Sequence, residues 1–486
     1  MSLWPSVLFS LVRAALVVGL ALPAAAPIAR RLREERAGLW WTATLAPLLV
    51  PELLTGYGWS NFSLSLAAHP WANEALTALL IWARCVCAAA ALLAVAPPPT
   101  RTASAVFLRK LVAITPRPRG ASALWAWQRE AALRTLARFG PAAGVAGLYA
   151  FGQFETPSLA GTTAWTVTLF DAHARAIELA DSLRLAWPAA AVQLVGLVPL
   201  LIWLRGATGP GRRDERRAPA SRRSNLAAAL ALTVAGGLTV IVPAAIVAGE
   251  TGAEGFRTLL ESGWRAEQFA AESGRSLAIG AAAAALASGA LWLVGRVRGP
   301  AGAPLLAAMI APGLCGSLIV GLVVQAGLTA AAAEGLPGAR AVRDSAAPLV
   351  VALAVVLLPR AAALRAFAEG RTAGRFLTSL LRGGTRAQRR AGGRVWWRLT
   401  GRAAWVRGGL LTLWAAADVA AAAVLLPPGL ETAPPGLYNL MHYGHNAVLG
   451  ALCLINTVAP AALLALGAWA APRLAAVGAP AGMVQR

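Results

Sequence analysis

Charge is what this sequence has least of. Only 13% of its 486 residues are Asp, Glu, Lys or Arg, about half the share in an ordinary soluble domain. Hydrophobic residues make up 58%. That shortage excludes the soluble globular class. Lysine is nearly missing, Lys110 being the sole one among 44 basic residues. Arginine in place of lysine, beside this much alanine, is what a GC-rich genome produces, so the choice has no functional reading. Cysteine is scarce too. The four present, Cys85, Cys87, Cys315 and Cys453, all lie inside apolar stretches, which excludes an extracellular disulfide framework. A helix turns Cys85 and Cys87 about 200° apart, so they read as small buried apolar residues and not as metal ligands.

Catalytic arrangements are missing as well. There is no G-x-x-x-x-G-K-[ST] loop, so the chain does not hydrolyse ATP through a P-loop of its own. No paired-carboxylate, Ser/His/Asp or H-E-x-x-H pattern stands out, and neither an enzyme nor a cofactor is expected. His442 and His445 are three residues apart, but a metal site needs further ligands. They read as an interfacial, structural pair.

What the sequence has is apolar blocks of about 20 residues, the length of a helix crossing a bilayer. About eleven such spans are expected, over 6–28, 39–58, 73–97, 139–155, 185–204, 225–248, 276–295, 303–328, 345–363, 406–427 and 446–471. The fold class expected is an all-α polytopic membrane protein. The net charge of +23 is not a nucleic-acid signal, because the arginines sit in short loops between apolar blocks. Loops 29–38, 98–138, 205–224, 296–302 and 360–405 alternate with loops nearly free of basic residues. Placing the first set and the C-terminal tail inside puts about 35 of the 44 basic residues in the cytoplasm. The expected orientation is N-terminus outside and C-terminus cytoplasmic.

Two long basic loops, 98–138 and 360–405, are each followed by two spans. A breaker-rich basic linker over 206–224 separates them. The chain therefore divides into residues 1–205, with about five spans, and 225–486, with about six. The two parts read as an internal repeat whose first copy lacks one N-terminal helix.

Ionisable groups at membrane depth are costly and face a bundle interior or a wet cavity. Glu155 at the outer end of the fourth span, Asp418 within the tenth, Glu52 in the second and Arg84 in the third are of this kind, and Gln153 accompanies Glu155. One reading makes them line a central path. The other makes each carboxylate cap a broken helix or pair with an arginine such as Arg84. Pro157 is expected to stop the fourth span, since proline cannot continue a helix.

Three stretches carry a family resemblance. Gly152–Gly161 (GQFETPSLAG) is similar to a "GEFETPALLG" segment. Leu425–Gly429 (LLPPG), followed by Leu437–Gly444 (LYNLMHYG), resembles the corresponding outer segment of a second copy. Leu22–Arg30 (LPAAAPIAR), leading to Leu45–Pro51 (LAPLLVP), is similar to a pair of N-terminal helices. Together with the span pattern they resemble the fused two-copy permease subunit of bacterial ATP-binding-cassette importers of the iron(III)/thiamine/polyamine/molybdate group. The resemblance implies a type I importer (MetI-like) architecture and a translocation path between the halves, with an iron(III)-like solute. It also implies a periplasmic solute-binding protein outside and ATP-binding-cassette ATPase subunits inside. Their docking loops would include Arg117 and Arg119 in the first copy and Arg382, Gly383, Gly384 and Arg386 in the second. The chain departs from the family in its coupling motif. Glu130-Ala131-Ala132 is followed by Leu136 where glycine is expected, and the second loop has no such triplet. A secondary carrier built from repeats and a permease with weakened ATPase coupling are the alternatives. A lipid-linked glycosyltransferase would need acids in loop 59–72, which has none.

Overall fold

Along Trp4–Leu32 (α1) the buried positions include Val7, Ser10, Ala14, Val17, Ala21, Ala25, Ile28 and Leu32. Steps of three and four hold these residues on one helix face. In a soluble protein the opposite face would be charged. Here it carries Leu8, Val12, Leu16 and Leu20, each more than half exposed. A helix satisfies its own backbone groups in lipid, and alanines on the inner stripe let neighbouring helices approach closely. α1 accordingly packs along Pro70–Val95 (α4).

The computed structural model describes residues 3–34, 38–95, 139–175, 178–206, 222–297, 302–369, 401–442 and 446–477. Among these residues the regular structure is entirely helical. Five helices are long and apolar enough to cross a membrane, or up to six if one bent pair is counted. The chain is thus an α-helical protein of polytopic membrane character. Eleven continuous spans are not what the described residues show, because four of the expected stretches are broken.

The breaks follow a pattern. Gly38–Leu49 (α2) stops before Pro51, and Glu52–Ser65 (α3) starts after it. Pro51 has an extended ψ of 140°, and proline has no N–H with which to continue the helix. A helix over 139–151 (α5) ends at Phe151, and Glu155–Leu159 (α6) begins after a gap of three residues. Trp165–Ala174 (α7) and Leu179–Gly206 (α8) complete this series. Arg222–Glu261 (α9) follows, with a π-helical turn at Gly237–Ile241 and a kink at Gly252.

The same series then recurs. Gly263–Val294 (α10) packs on Ala347–Glu369 (α14), as α1 packs on α4. Between them, Gly302–Ile310 (α11) and its 3-10 extension Pro312–Cys315 meet Ser317–Ala333 (α12) at a bend of 104°. Gly316 makes this bend at φ 88°, a conformation that side chains with a Cβ rarely adopt. The short helix Ala339–Arg343 (α13) is an addition of this second series. Arg402–Ala416 (α15) and Ala420–Leu425 (α16) repeat the broken pair α5 and α6. Ala433–Met441 (α17) and Ala447–Val477 (α18) repeat α7 and α8.

Single contacts recur with the elements. Ser10 Oγ on α1 accepts the backbone N–H of Trp165, the first residue of α7, at 3.2 Å. Ser276 Oγ on α10 accepts that of Ala433, the first residue of α17, at 3.1 Å. Each hydroxyl satisfies an N–H that a helix start leaves unpaired. Helix α9 lies against α1, α3, α4 and α18, and α8 lies against α12, so one continuous apolar cluster runs through both series.

Candidate functional site

The breaks bring polar side chains together. Glu52, the first residue of α3, accepts a hydrogen bond on Oε1 from Tyr149 OH at 2.6 Å and a longer one from Gln153 Nε2 at 3.3 Å. Gln153 lies in the gap between α5 and α6 and is 5% exposed. That gap frees carbonyls at the end of α5, and the start of α7 satisfies them. Trp165 Nε1 donates to Phe151 O at 2.6 Å and Thr166 Oγ1 to Gln153 O at 2.5 Å. The break therefore forms at Gly152, ahead of Pro157, which sits inside α6. Glu155 is the first residue of α6 and not the last of a span, which corrects the expectation from Pro157.

The second series builds the matching node. Ser317 opens α12 as Glu52 opens α3, and its side chain stands near the Asp418 carboxyl group. Asp418 lies in the gap between α15 and α16, where Gln153 lies in the first series. It is not within a continuous span, and its Oδ1 accepts the N–H of Ala421 at 2.9 Å. Trp414 occupies the position of Tyr149, two residues from the helix end, and donates from Nε1 to Leu48 O at 2.6 Å. Arg360 on α14 sits 5.4 Å from the Trp414 ring centroid and interacts electrostatically with Asp418. Its counterpart on α4, Arg84, is 4% exposed and donates to Thr55 Oγ1 at 2.9 Å, and it forms no ion pair with a carboxylate among the described residues.

Glu155 joins the two nodes, lying within electrostatic reach of both Glu52 and Asp418. Four of the expected residues, Glu52, Gln153, Glu155 and Asp418, thus converge, and Arg84 stands beside them. Glu52 Oε2 and Gln153 Oε1 are buried with no hydrogen-bond partner among the described residues. Gln193 on α8 is fully buried beside Gly152, and neither its amide nitrogen nor its oxygen has a partner among the described residues. Tyr149, Ser317, Trp414, Arg360 and Gln193 were not anticipated. Carrying Glu52, Gln153 and Arg84 across the repeat register would have pointed to Ser317, Asp418 and Arg360.

Aromatic rings meet beside these groups. Phe170 and Tyr438 are each the sixth residue of their helix, α7 and α17, and their centroids meet at 6.1 Å. Phe154 packs on both, at 4.7 Å from Phe170 and 5.5 Å from Tyr438. Tyr438 OH and Ser158 Oγ share a 2.6 Å hydrogen bond. Burial pushes the Tyr438 phenol above its ordinary value, so the hydroxyl keeps its proton. His442 stacks edge-on against Tyr438 at 4.7 Å, and His445 lies outside the described residues.

Among the described residues no group of three or more His, Cys, Asp or Glu is arranged to hold a metal ion. Cys85, Cys87 and Cys453 are buried and unpaired, as expected of apolar fillers. Arg117, Arg119, Arg382, Gly383, Gly384, Arg386 and the Glu130-Ala131-Ala132 triplet lie outside the described residues. Compared with protein-family models, curated proteins and solved structures, the chain matches none of them.

Proposed function

We propose that the protein is the transmembrane permease subunit of an ATP-binding-cassette importer, with the solute path running between its two repeated series. The observation that carries this reading is the pair of pseudo-equivalent nodes, Glu52 with Gln153 and Ser317 with Asp418, meeting Glu155 below the Phe170–Tyr438 contact. Broken helices that present polar groups inside a membrane bundle, at the interface of two repeats, are a recurrent way to build a solute site. Three carboxyl groups there favour a cationic solute, in keeping with the iron(III)-like cargo that the resemblance implies. A solute-binding protein delivers the solute at the end closed by Phe170 and Tyr438. ATPase subunits act on the basic loops 98–138 and 360–405 at the cytoplasmic end, and the permease itself catalyses nothing. The orientation, N-terminus outside and C-terminus inside, follows from the arginine distribution, and the bacterial inner membrane from the family resemblance.

The same carboxyl cluster favours one second reading, a secondary carrier in which Glu52, Glu155 or Asp418 holds a coupling cation. Affinity purification of the full chain from its own cells separates the two. Co-purification of a subunit bearing a G-x-x-x-x-G-K-[ST] loop, lost on deletion of residues 383–390, is the expected result. Solute uptake by proteoliposomes of the chain alone, driven by an ion gradient, would overturn the importer reading.

A further inference from the structure

The two series differ most at the end where α3 meets α4 and α12 meets α14. In the first, Ser63 Oγ donates to Asn73 Oδ1 at 2.6 Å, and Asn73 Nδ2 donates to the carbonyl of Ala160 at 2.8 Å. These bonds seal α3, α4 and the end of α6 together, and loop 66–69 is short. In the second series Leu328 and Leu425 stand where Ser63 and Ala160 stand in the first. Segment 334–346, which includes α13, replaces the short loop. A cavity of about 300 Å³ remains between α12, α13, α14 and the end of α16.

The lining groups are chemically mixed. Leu328, Leu425 and Leu426 form an apolar wall, and Gln325, Thr329, Arg343 and Asp344 supply polar groups. Arg343 Nε donates to Asp344 Oδ1 at 3.0 Å, which leaves the two terminal guanidinium nitrogens for an anion. Gln325 Oε1 is buried with no hydrogen-bond partner among the described residues, and a buried acceptor left without a donor is costly. Thr329, Arg343 and Asp344 are exposed at the cavity mouth, so the buried Gln325 Oε1 is the group that needs a donor. An occupant engaging all four brings an N–H donor for Gln325 Oε1 and Asp344 together with an anionic group for Arg343 and Thr329. The framing helices also expose Val323 on α12, Val342 on α13 and Val351 on α14, and the cavity lies near the ends of α12 and α14. In a bilayer that is headgroup depth, with acyl chains alongside.

We propose that this cavity binds the headgroup of a phospholipid carrying a phosphate and a primary ammonium, the phosphoethanolamine type. The assignment uses only the membrane character of the fold and is independent of the transport reading. The chemistry discriminates among lipids. A phosphocholine head has no N–H for Gln325, and a phosphoglycerol head has no ammonium for Asp344. Free phosphoethanolamine has the same polar groups but no chains to lie against Val323 and Val351.

The test is native mass spectrometry of the full chain released from detergent with equimolar short-chain phosphatidylethanolamine, phosphatidylcholine and phosphatidylglycerol. Free phosphoethanolamine is added in a separate arm. The expected result is retention of one phosphatidylethanolamine, about tenfold above either competitor. Gln325→Leu should abolish the preference, Arg343→Ala should weaken retention of all three lipids, and Gln325→Glu, which keeps the acceptor, should retain the preference. Binding of free phosphoethanolamine as strong as that of the lipid would replace the lipid with a soluble zwitterion as the occupant. Equal retention of all three lipids would overturn the proposal. So would a preference that persists in Gln325→Leu with its melting temperature unchanged.

Discussion

Tyr149→Phe removes one oxygen atom and tests the logic of the polar node. In the folded protein Glu52 Oε1 takes a short bond of 2.6 Å from Tyr149 and a long one of 3.3 Å from Gln153, while Oε2 has no hydrogen-bond partner among the described residues. Tyr149 therefore supplies most of the local stabilisation of that carboxyl group. A hydrogen bond to a charged group contributes about 1.5–3 kcal/mol, whereas ordinary interhelical bonds in membrane proteins average only ~0.6 kcal/mol. If Glu52 depends on Tyr149, the coupling energy should lie well above that average, at about 1–2 kcal/mol. The assay is a double-mutant cycle of Tyr149→Phe and Glu52→Gln, with unfolding followed in mixed micelles. Tyr149→Phe alone should cost about 2 kcal/mol, and less in the Glu52→Gln background. Additivity within ~0.5 kcal/mol, the range found for independent sites, would refute the reasoning.

Other substitutions probe the repeat and the packing. Ser10→Ala and Ser276→Ala each remove the hydroxyl that accepts the first N–H of α7 or α17. Each should lower stability by about 1 kcal/mol in the same unfolding assay, and the two losses should match. Gly255→Ala would drive a methyl group into the carbonyl of Ala447 on α18 and should cost about 1–3 kcal/mol. Gly236→Ala, with open space around it, should be neutral or stabilising by up to ~1 kcal/mol. In intact cells, an impermeant reagent should label a cysteine placed at Thr163 and not one placed at Thr385; the reverse pattern would invert the orientation.

Apolar composition made the membrane character legible, because lipid contact demands it on every outer face. It could not show where helices break. Residues 39–58 and 303–328 are apolar on both sides of their breaks, and composition is indifferent to a bend of 104°. Pro51 and Gly316 were visible, yet proline and glycine also occur inside unbroken helices here, as Pro23 and Pro27 do in α1. The break at Ala417–Val419 contains neither, and Asp418 was its single cue. Glu52, Gln153, Glu155 and Asp418 stood out because polar groups are costly in an apolar run. Tyr149 and Trp414 did not, since aromatic residues are ordinary there and only the fold aims their polar atoms. Phe170 and Tyr438 were hidden for a different reason. Their contact depends on two short helices facing each other across the repeat, and neither sequence stretch contains that information.

In the proposed function, Phe170 and Tyr438 close one end of a path leading to the carboxyl cluster. Labelling of Glu155→Cys in intact cells by a membrane-impermeant thiol reagent measures this without knowledge of the solute. The chain lacking that substitution serves as control for Cys85, Cys87, Cys315 and Cys453. With both aromatic residues in place labelling should be slow, and in the Phe170→Ala, Tyr438→Ala background it should be at least ~tenfold faster, a difference of about 1.4 kcal/mol in the opening equilibrium. Equal labelling rates in the two backgrounds would contradict the closure, and with it the path between the two halves.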